Sequence, residues 1–302
     1  MRTAVAIFAY RRPDHLKMTL KSLFLNNELK HTDLIFFCDG PKNKKEFQKT
    51  NEVISICKSI TFKNKKMYIQ SKNIGLANSI KNGVDIVFNK LNYKQIIVIE
   101  DDLILGKNFI SFCLKSLKYY KSEKNIGSIT GYNFLGLVDT KDKPCLTYRH
   151  SSWGWATWNN VWNKIEWNIK HETFVTNEKL KNKIDKAGED LIYFLKDQNE
   201  RKIDSWSVIF NINCLLNNLY CLCPSQSIVR NIGMDQSGTH LGKYKKNNFD
   251  FNENFQCNKF QKINIKNKIN IKINNKIRKK YSPTILRKIF KFLKKQANFL
   301  WH

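Results

Sequence analysis

Residues 1–130 alternate between short apolar runs and longer segments in which apolar residues recur at helical spacing. Runs of the first kind predict buried strands, and segments of the second kind predict helices that pack on them. Strands that alternate with helices predict βαβ units and a parallel sheet, so the expected fold class is α/β. The predicted strands are Ala4–Ala9, Leu34–Cys38, Met67–Gln70 and Gln95–Ile99; the predicted helices are one that begins at Pro13 and three over Lys44–Ser59, Ile74–Phe88 and Asn108–Tyr120.

The pattern is less regular over residues 131–240. Tryptophan is concentrated there, since five of the seven lie within the 15 residues 153–167. Residues 204–216 predict a helix, and residues 227–229 predict a short strand. Because no linker interrupts this part of the chain, we predict that residues 1–245 form one domain.

The formal charge of +28 is unevenly distributed. No Asp or Glu follows Glu253, and residues 254–302 hold 14 Lys and Arg, half of the net charge. Residues 246–281 predict a basic low-complexity linker, and residues 282–302 a basic amphipathic helix. Such a helix is typical of an anionic membrane interface. Docking of the helix on the protein's own core or on another subunit is an equal alternative.

Bulk composition excludes some classes of protein. A hydrophobic fraction of 42% with 13% aromatic residues is enough for a core, which excludes disorder as the overall state. The positive charge favours a polyanionic partner, although the joint excess of Lys, Asn and Ile is also what an AT-rich coding sequence produces. Base-binding aromatic residues interleaved with cations are missing from the tryptophan-rich stretch. We therefore expect no nucleic-acid partner, and a basic nucleic-acid-binding protein is the rival interpretation from another class.

The cysteines and apolar runs bear on location. None of the eight cysteines forms a CxxC pair or stands beside His at zinc spacing. The first apolar run is too short for a signal peptide, and no run of about 18 apolar residues occurs. The sequence thus predicts a cytoplasmic protein with reduced thiols, attached at most to the inner face of the cell membrane.

Polar residues follow each predicted strand, at the edge of a parallel sheet where ligands bind. Together they provide cations, an amide and carboxylates, a set suited to a nucleotide diphosphate held with a metal ion. They are Tyr10-Arg11-Arg12, Asp39, Lys72-Asn73 and Glu100-Asp101-Asp102.

The run Glu100-Asp101-Asp102 places three carboxylates together after a buried strand. They repel one another unless a cation offsets their charge, and a divalent cation prefers hard oxygen ligands. A solvated acidic turn is the alternative. Asp39 suits a base or ribose contact, or a cap of the loop before Pro41. Arg12 suits a contact with a diphosphate, or a position as a solvated cation on the surface.

Three further features have both a functional and a structural interpretation. Trp153 and Trp155 flank Gly154, which favours a wall on which a sugar stacks, although a core cluster is the alternative. Asp204 begins a predicted helix, so it suits an N-cap as well as a general base. His240 lies in a glycine-containing loop, where it suits a metal or phosphate contact or an exposed position.

Taken in order and spacing, several of these segments resemble the GT-A glycosyltransferases, whose fold is a Rossmann-like α/β/α nucleotide-sugar-binding domain. The likeness covers about residues 1–245. It is nearest to the inverting N-acetylglucosaminyltransferase I group and to bacterial family 2-like enzymes. The segments are Tyr10–Pro13, the Asp39 turn, Asn73–Asn78, Glu100–Leu103 followed by Phe109, Trp153–Trp158, and Asn231–Gly233 through His240.

The resemblance implies an inverting, metal-dependent transfer of a sugar from a nucleotide-diphosphate donor to a hydroxyl. The implied donor is a UDP-sugar, with UDP-GlcNAc as one example, and the implied acceptor is a surface glycan or lipid-linked saccharide in bacterial polysaccharide or lipopolysaccharide synthesis. A nucleotidyltransferase is the alternative enzyme, but it usually needs a Gly-rich loop where Tyr10–Pro13 has no Gly.

The resemblance also implies a role for each residue. Asp102 would coordinate Mn²⁺ or Mg²⁺, with His240 as a second metal contact and Asp204 as the catalytic base. Ser205 stands where the eukaryotic pattern has a second acid. The remaining implied contacts are Glu100 and Asp101 to ribose and donor sugar, Asp39 to uracil, Arg12 to uridine or diphosphate, Asn73 and Asn78 to the nucleotide-sugar, and Trp153, Gly154 and Trp155 to the acceptor.

Overall fold

A computed structural model describes residues 2–134, 144–233, 235 and 269–282, which contain ten strands, ten α-helices and three shorter 3-10 or π-helical turns. The strands are β1 Thr3–Ala9, β2 Thr32–Cys38, β3 Lys65–Ile69, β4 Gln95–Glu100, β5 Leu103–Leu105, β6 Ile126–Thr130, β7 Cys145–Thr147, β8 Trp155–Trp158, β9 Tyr220–Cys223 and β10 Val229–Asn231. The helices are α1 Pro13–Phe24, α2 Phe47–Ser59, α3 Leu76–Asp85, α4 Phe109–Tyr119, α5 Asn159–Trp162, α6 Glu172–Val175, α7 Glu178–Asp185, α8 Asp190–Asn199, α9 Trp206–Leu216 and α10 Ile271–Lys280.

Eight of these strands form one sheet in the order β3-β2-β1-β4-β8-β6-β9-β7. The first four are parallel, β8 runs antiparallel between β4 and β6, and β9 is parallel to β6. Strand β7 closes the far edge antiparallel to β9. Strands β5 and β10 form a separate antiparallel pair. The predicted α/β class with a mostly parallel sheet is confirmed.

The first half of the chain folds as its pattern predicts. Strands β1 and β2 are buried at every position, because helices cover both faces of a sheet built from such units. Pro13 is the first residue of α1, where its missing N–H costs nothing. Helix α3 begins two residues after the predicted start and continues into a π-helical turn over Ile86–Lys90.

The second half contains elements that the periodicity did not reveal. Strand β8 enters the sheet antiparallel, with Trp155 opposite Val98 and Trp158 opposite Gln95. The short apolar run of β8 does not show whether the strand is parallel or antiparallel to its neighbours. That depends on the path of the chain between β6 and β8. The predicted helix over residues 204–216 is α9, which begins at Trp206.

An aromatic core lies behind β8. Trp155 and Trp162 are 0% and 1% exposed, and the ring of Trp155 stacks on that of Trp206 with centroids 4.5 Å apart. Phe210 from α9 packs against all three indoles. Large rings packed this closely bury much apolar surface and fix α9 against the sheet.

Helix α10 lies within the residues 246–281 that were predicted to be a linker, and it is packed on the domain. Ile273 and Ile277 are buried. The side chain of Asn274 accepts the Tyr148 N–H at 2.9 Å and donates to the Leu146 carbonyl at 3.1 Å. One amide thus pairs with the outer edge of β7 as a neighbouring strand would, which protects a sheet edge.

No helix among the described residues is both long and apolar enough to cross a membrane. The predicted helix over residues 282–302 lies outside the described residues, apart from Ser282.

Candidate functional site

The carboxyl ends of β2, β1 and β4 lie side by side, because these strands are parallel neighbours. Hydrogen bonds join the loops beyond them. The Asp39 N–H donates to the Ala9 carbonyl at 3.0 Å, and the Tyr10 N–H donates to Asp101 Oδ2 at 2.9 Å. The predicted residues that meet at this edge are Arg12, Asp39, Asn73, Glu100, Asp101 and Asp102.

Asp101 faces into the protein. Besides the Tyr10 bond, its Oδ1 accepts from Arg12 Nη2 at 2.5 Å, and its carbonyl accepts from Thr19 Oγ1 at 2.8 Å. Burial raises the pKa of Asp101, while Arg12 opposes that shift. Each carboxylate oxygen therefore has a protein donor. These contacts position the loops around the site, and the predicted contact of Asp101 with the nucleotide sugar stays a prediction.

Arg12 joins two of the three carboxylates. Its Nη1 lies 2.9 Å from Asp102 Oδ2, while Nη2 bonds Asp101. Burial disfavours the charged form, but the charges of Asp101 and Asp102 outweigh it and raise the pKa of Arg12 above its usual value. The guanidinium is thus a fixed cation that neutralises part of the acidic run.

One oxygen of Asp102 lacks a hydrogen-bond partner among the described residues, and the neighbouring Glu100 has a raised pKa. Asp102 Oδ1 is buried and accepts no hydrogen bond from any described residue. Burial, followed by the neighbouring Asp102 carboxylate, raises the pKa of Glu100 to about 8. A buried carboxylate oxygen without a partner is costly, and a divalent cation removes that cost.

The carboxylate oxygens of these two side chains are ligands of the kind that a divalent cation prefers, so the residues present fit such an ion. Within the described ranges, no group of three or more His, Cys, Asp or Glu side chains is placed to hold a metal ion. The fit therefore depends on Glu100 and Asp102. His240, the other predicted metal contact, lies outside the described residues.

The segment after β10 crosses directly over Asp102. The Ile232 N–H donates to the Asp102 carbonyl at 2.8 Å. A Cβ added at Gly233 would overlap Asp102 Oδ2 and lie 2.7 Å from Arg12 Nη1. Glycine is thus required here by close approach to the acidic run.

Asp39 ties the end of β2 to the segment that follows β3. Its Oδ1 accepts the N–H groups of Gly40 at 2.9 Å and Ile74 at 3.0 Å, and its Oδ2 accepts from Asn73 Nδ2 at 2.8 Å. Burial raises the pKa of Asp39, although the two backbone donors lower it. These bonds match a cap of the loop before Pro41, and they also hold the loop after β3.

Asp204 caps helix α3. Its Oδ2 accepts the Leu76 N–H at 2.6 Å and its Oδ1 the Ala77 N–H at 3.2 Å, whereas the N-cap of α9 is Ser205. A carboxylate at a helix N-terminus meets unpaired N–H groups and a favourable dipole. Gly75 has φ +85°, and a Cβ there would lie 2.6 Å from Asp204 Oδ2.

Asp39 and Asp204 together hold the short segment 73–77 from both sides. Next to it lies an open cleft of about 620 Å³, and Asp204 is one of the residues that line it. The residues that line the cleft are Ile74, Ala77, Asn78, Gln198, Arg201, Lys202, Ile203 and Asp204.

The predicted tryptophan wall is only partly accessible. Trp155 is 0% exposed in the aromatic core, so it has no surface with which to contact an acceptor. A Cβ at Gly154 would meet the Phe109 ring at 2.9 Å and Val229 Cγ1 at 3.0 Å, so the protein itself fills the space beside this glycine. Trp153 is half-buried and packs edge-on against Tyr132. Of the three, Trp153 alone keeps exposed surface.

Several residues around the site were not predicted. Thr19 holds Asp101, and Gln198 and Arg201 line the cleft. Gln198 comes from the end of α8 and Arg201 from the loop between α8 and α9, whose place depends on tertiary packing. The nearest sequence signal was Asp204 itself, which ends that loop.

No protein-family profile matches the sequence. Three solved structures are similar in backbone path. Residues 1–349 of TarS from S. aureus match with a TM-score of 0.44 at 13% identity over 78% of this chain and 61% of that one. TarS 1–349 in complex with UDP-GlcNAc matches with a TM-score of 0.42 at 11% identity, over 81% of this chain and 62% of that one.

The third is the mannosyltransferase PcManGT from Pyrobaculum calidifontis in complex with GDP-Man and Mn²⁺. It matches with a TM-score of 0.41 at 8% identity, over 71% of this chain and 69% of that one. This chain therefore spans about three fifths of the TarS chain. Similarity of this size concerns the path of the backbone and identifies no family.

Proposed function

We propose that this protein is a glycosyltransferase that uses a nucleotide-diphosphate sugar, in the manner of the GT-A enzymes it resembles in sequence. The observation that carries the proposal is the buried Oδ1 of Asp102, unpaired among the described residues, next to Glu100, whose pKa is raised, at the sheet edge where Arg12 and Asp39 also lie. Ligands of α/β sheets bind at this edge.

The donor would lie across the carboxyl ends of β2, β1 and β4. Asp39, Asn73 and Asn78 stand on the nucleoside side, and Arg12 faces the acidic run. Asp39 already accepts three hydrogen bonds from the protein, so its main part in binding a base would be to fix the shape of the loop. One lone pair on Oδ2 is left to accept from the base. A uracil nucleotide is the expected donor.

Glu100 and Asp102 would hold Mn²⁺ or Mg²⁺. Such an ion supplies positive charge to the donor diphosphate and to the leaving group as its charge develops. Arg12 would assist as a fixed cation, since its guanidinium is already oriented by Asp101 and Asp102. Asp101 positions Arg12 and the loop after β1.

Asp204 would act as the base in an inverting single displacement. The acceptor hydroxyl gives its proton to the Asp204 carboxylate while its oxygen forms the bond to the anomeric carbon and the diphosphate leaves with the bonding electrons. Two backbone N–H donors orient the carboxylate, and each of its oxygens keeps a lone pair beyond these bonds. Inversion follows when the acceptor and the leaving group lie on opposite faces of the sugar.

The acceptor would be a surface glycan or lipid-linked saccharide that enters the cleft beside Asp204, with Trp153 as an aromatic surface for a sugar ring. The membrane role predicted for residues 282–302 and the cytoplasmic, peripheral location both stay predictions.

A panel of nucleotide sugars tests the proposal by thermal shift, with Mn²⁺ or with EDTA, on the wild type and on Asp102→Ala. Ligand at 100 times its Kd should stabilise the wild type by about 2.7 kcal/mol, because binding favours the folded state. The stabilisation should be lost with EDTA and in the variant. If no nucleotide sugar stabilises the protein with Mn²⁺ present, the proposal is wrong. Release of nucleoside diphosphate with saccharide acceptors then tests transfer.

A further inference from the structure

Two thiols face each other at the far edge of the sheet, away from the candidate site. Cys145 in β7 and Cys223 in β9 are directly opposite in the antiparallel register, and their Sγ atoms are 3.0 Å apart. Both are free and buried, at 6% and 1% exposure. Nothing in the proposed transfer reaction uses them.

The backbone geometry already suits a covalent bond. Residues opposite one another in an antiparallel pair have Cα atoms about 4.5–5.5 Å apart. Disulfides span Cα separations of about 4.4–6.8 Å. The two sulfurs need to approach by about 1 Å to reach a bond length of about 2.05 Å, which small side-chain rotations supply. We propose that Cys145 and Cys223 form a redox-active dithiol that closes to an intramolecular disulfide when a low-molecular-weight disulfide oxidises it.

The exchange has two steps. The Cys145 thiolate, on the more exposed edge strand, attacks one sulfur of the small disulfide, breaks its S–S bond and releases the other half as a thiolate. The Cys223 sulfur then attacks Cys145 Sγ in the mixed disulfide, gives its proton to the departing small thiolate, and closes the protein bond. Two protein thiols are oxidised, and one small disulfide is reduced to two thiols.

Access sets the rate of this reaction. Hydrogen bonding to Cys145, and then burial, raise the pKa of the Cys223 thiol well above its usual value, so Cys223 reacts within the mixed disulfide rather than first. Strand β7 has three residues and lies at the sheet edge, where local opening is easiest. Slow oxidation through transient opening of β7 is therefore expected.

The bond would lock β7 to β9. Strand β7 also carries the edge that Asn274 covers and runs into Tyr148, so the oxidised form should resist opening of β7 and release of α10. A disulfide between residues this distant in sequence also restricts the unfolded chain, which raises the melting temperature.

The test is incubation of the folded, full-length protein with oxidised glutathione at mildly alkaline pH, followed by peptide mapping without reductant. The expected product links the peptides that contain Cys145 and Cys223, with the loss of two thiols on titration in denaturant. Its melting temperature should rise by several degrees and return to the initial value after dithiothreitol.

Two variants control the assignment. Cys113→Ser removes another buried thiol, in α4, and should oxidise as the wild type does. Cys145→Ser should form no intramolecular bond and show no rise in melting temperature. A persistent mixed disulfide, full retention of thiols, or a bond that pairs either cysteine with a different partner in the wild type or in Cys113→Ser overturns the proposal, whether or not Cys145→Ser folds.

Discussion

Two groups of carboxylates stand at the same edge of the sheet, and they differ in how well the protein satisfies them. Asp39 and Asp204 accept five hydrogen bonds between them, from four backbone N–H groups and one side-chain amide. Asp102 keeps a buried oxygen with no donor among the described residues, and the pKa of its neighbour Glu100 is raised to about 8, chiefly by burial.

The difference separates residues that build the site from residues left open for a ligand. A carboxylate that holds backbone N–H groups fixes loop geometry, and its removal leaves buried donors unpaired. A carboxylate without a partner lowers the stability of the protein until a cation arrives. The two groups should therefore respond in opposite ways to mutation.

The largest effect is expected for Asp102→Ala. Transfer should fall by about 10³-fold or more, because a metal ion contributes several kcal/mol of charge stabilisation. The measurement is nucleoside diphosphate release with and without Mn²⁺. Asp14→Ala, which removes an exposed carboxylate of α1, is the control and should keep full activity. Unchanged Mn²⁺ dependence in Asp102→Ala would exclude the metal role.

Asp204→Asn should lower kcat by about 10²–10⁴-fold, the usual contribution of a general base. Donor Kd should change little, because an amide oxygen can still cap α3. Ser205→Ala, at the next position, is the control and should retain turnover. If Asp204→Asn keeps its kcat but loses stability, Asp204 is a helix cap that positions segment 73–77, and another group takes the proton.

Substitutions in the two groups of carboxylates should change the free energy of unfolding in opposite directions. Asp39→Ala should lower the free energy of unfolding by about 2–3 kcal/mol, since it leaves the Gly40 and Ile74 N–H groups unpaired. Glu100→Gln should raise it by about 4 kcal/mol at pH 8 without metal, because it removes a charge that burial disfavours. Urea titration measures both. Equal losses in the two variants would contradict the comparison.

The pH dependence of the free energy of unfolding of the wild type gives a second test of the role of Glu100. The folded-state pKa of Glu100 is raised, so its contribution favours the folded state at acidic pH and is lost as pH rises from about 4.5 through about 8. Glu100→Gln should remove this slope when metal is absent.

The smallest expected effect comes from the core. Burial lowers the pKa of His150 to about 3, so its imidazole stays neutral in the folded state while the unfolded chain takes a proton below about pH 6.5. Stability from this group is complete above that pH and should fall by about 1.4 kcal/mol at pH 5.5. The difference between wild type and His150→Gln should show this slope. His31→Gln, at an exposed position, should not change it.

How much could be predicted differs between the halves of the chain. The positions of β1, β2, β4 and the helices between them follow from apolar periodicity, because parallel strands covered on both faces are continuous apolar runs. The gathering of Arg12, Asp39 and Glu100–Asp102 at one edge then follows from the topology of such sheets.

Other features depend on contacts between distant segments. Asp204 seemed to start its own helix, yet its carboxylate caps α3, 128 residues away in sequence. Trp155 had the signature of a sugar-binding wall, yet the packing of α9 buries it. Asn274, in a low-complexity segment, covers the edge of β7. No local pattern records such partners.

The sequence by itself determined the α/β framework and the acidic run after β4, because strand burial and helix periodicity are local properties of the chain. Only the tertiary structure decided which carboxylates are satisfied. A hydrogen bond depends on the position of its donor, and the donors to Asp39, Asp101 and Asp204 include groups from other loops and helices. Asp102 keeps an oxygen without a donor from the described residues for the same reason, since folding placed Arg12 beside its other oxygen.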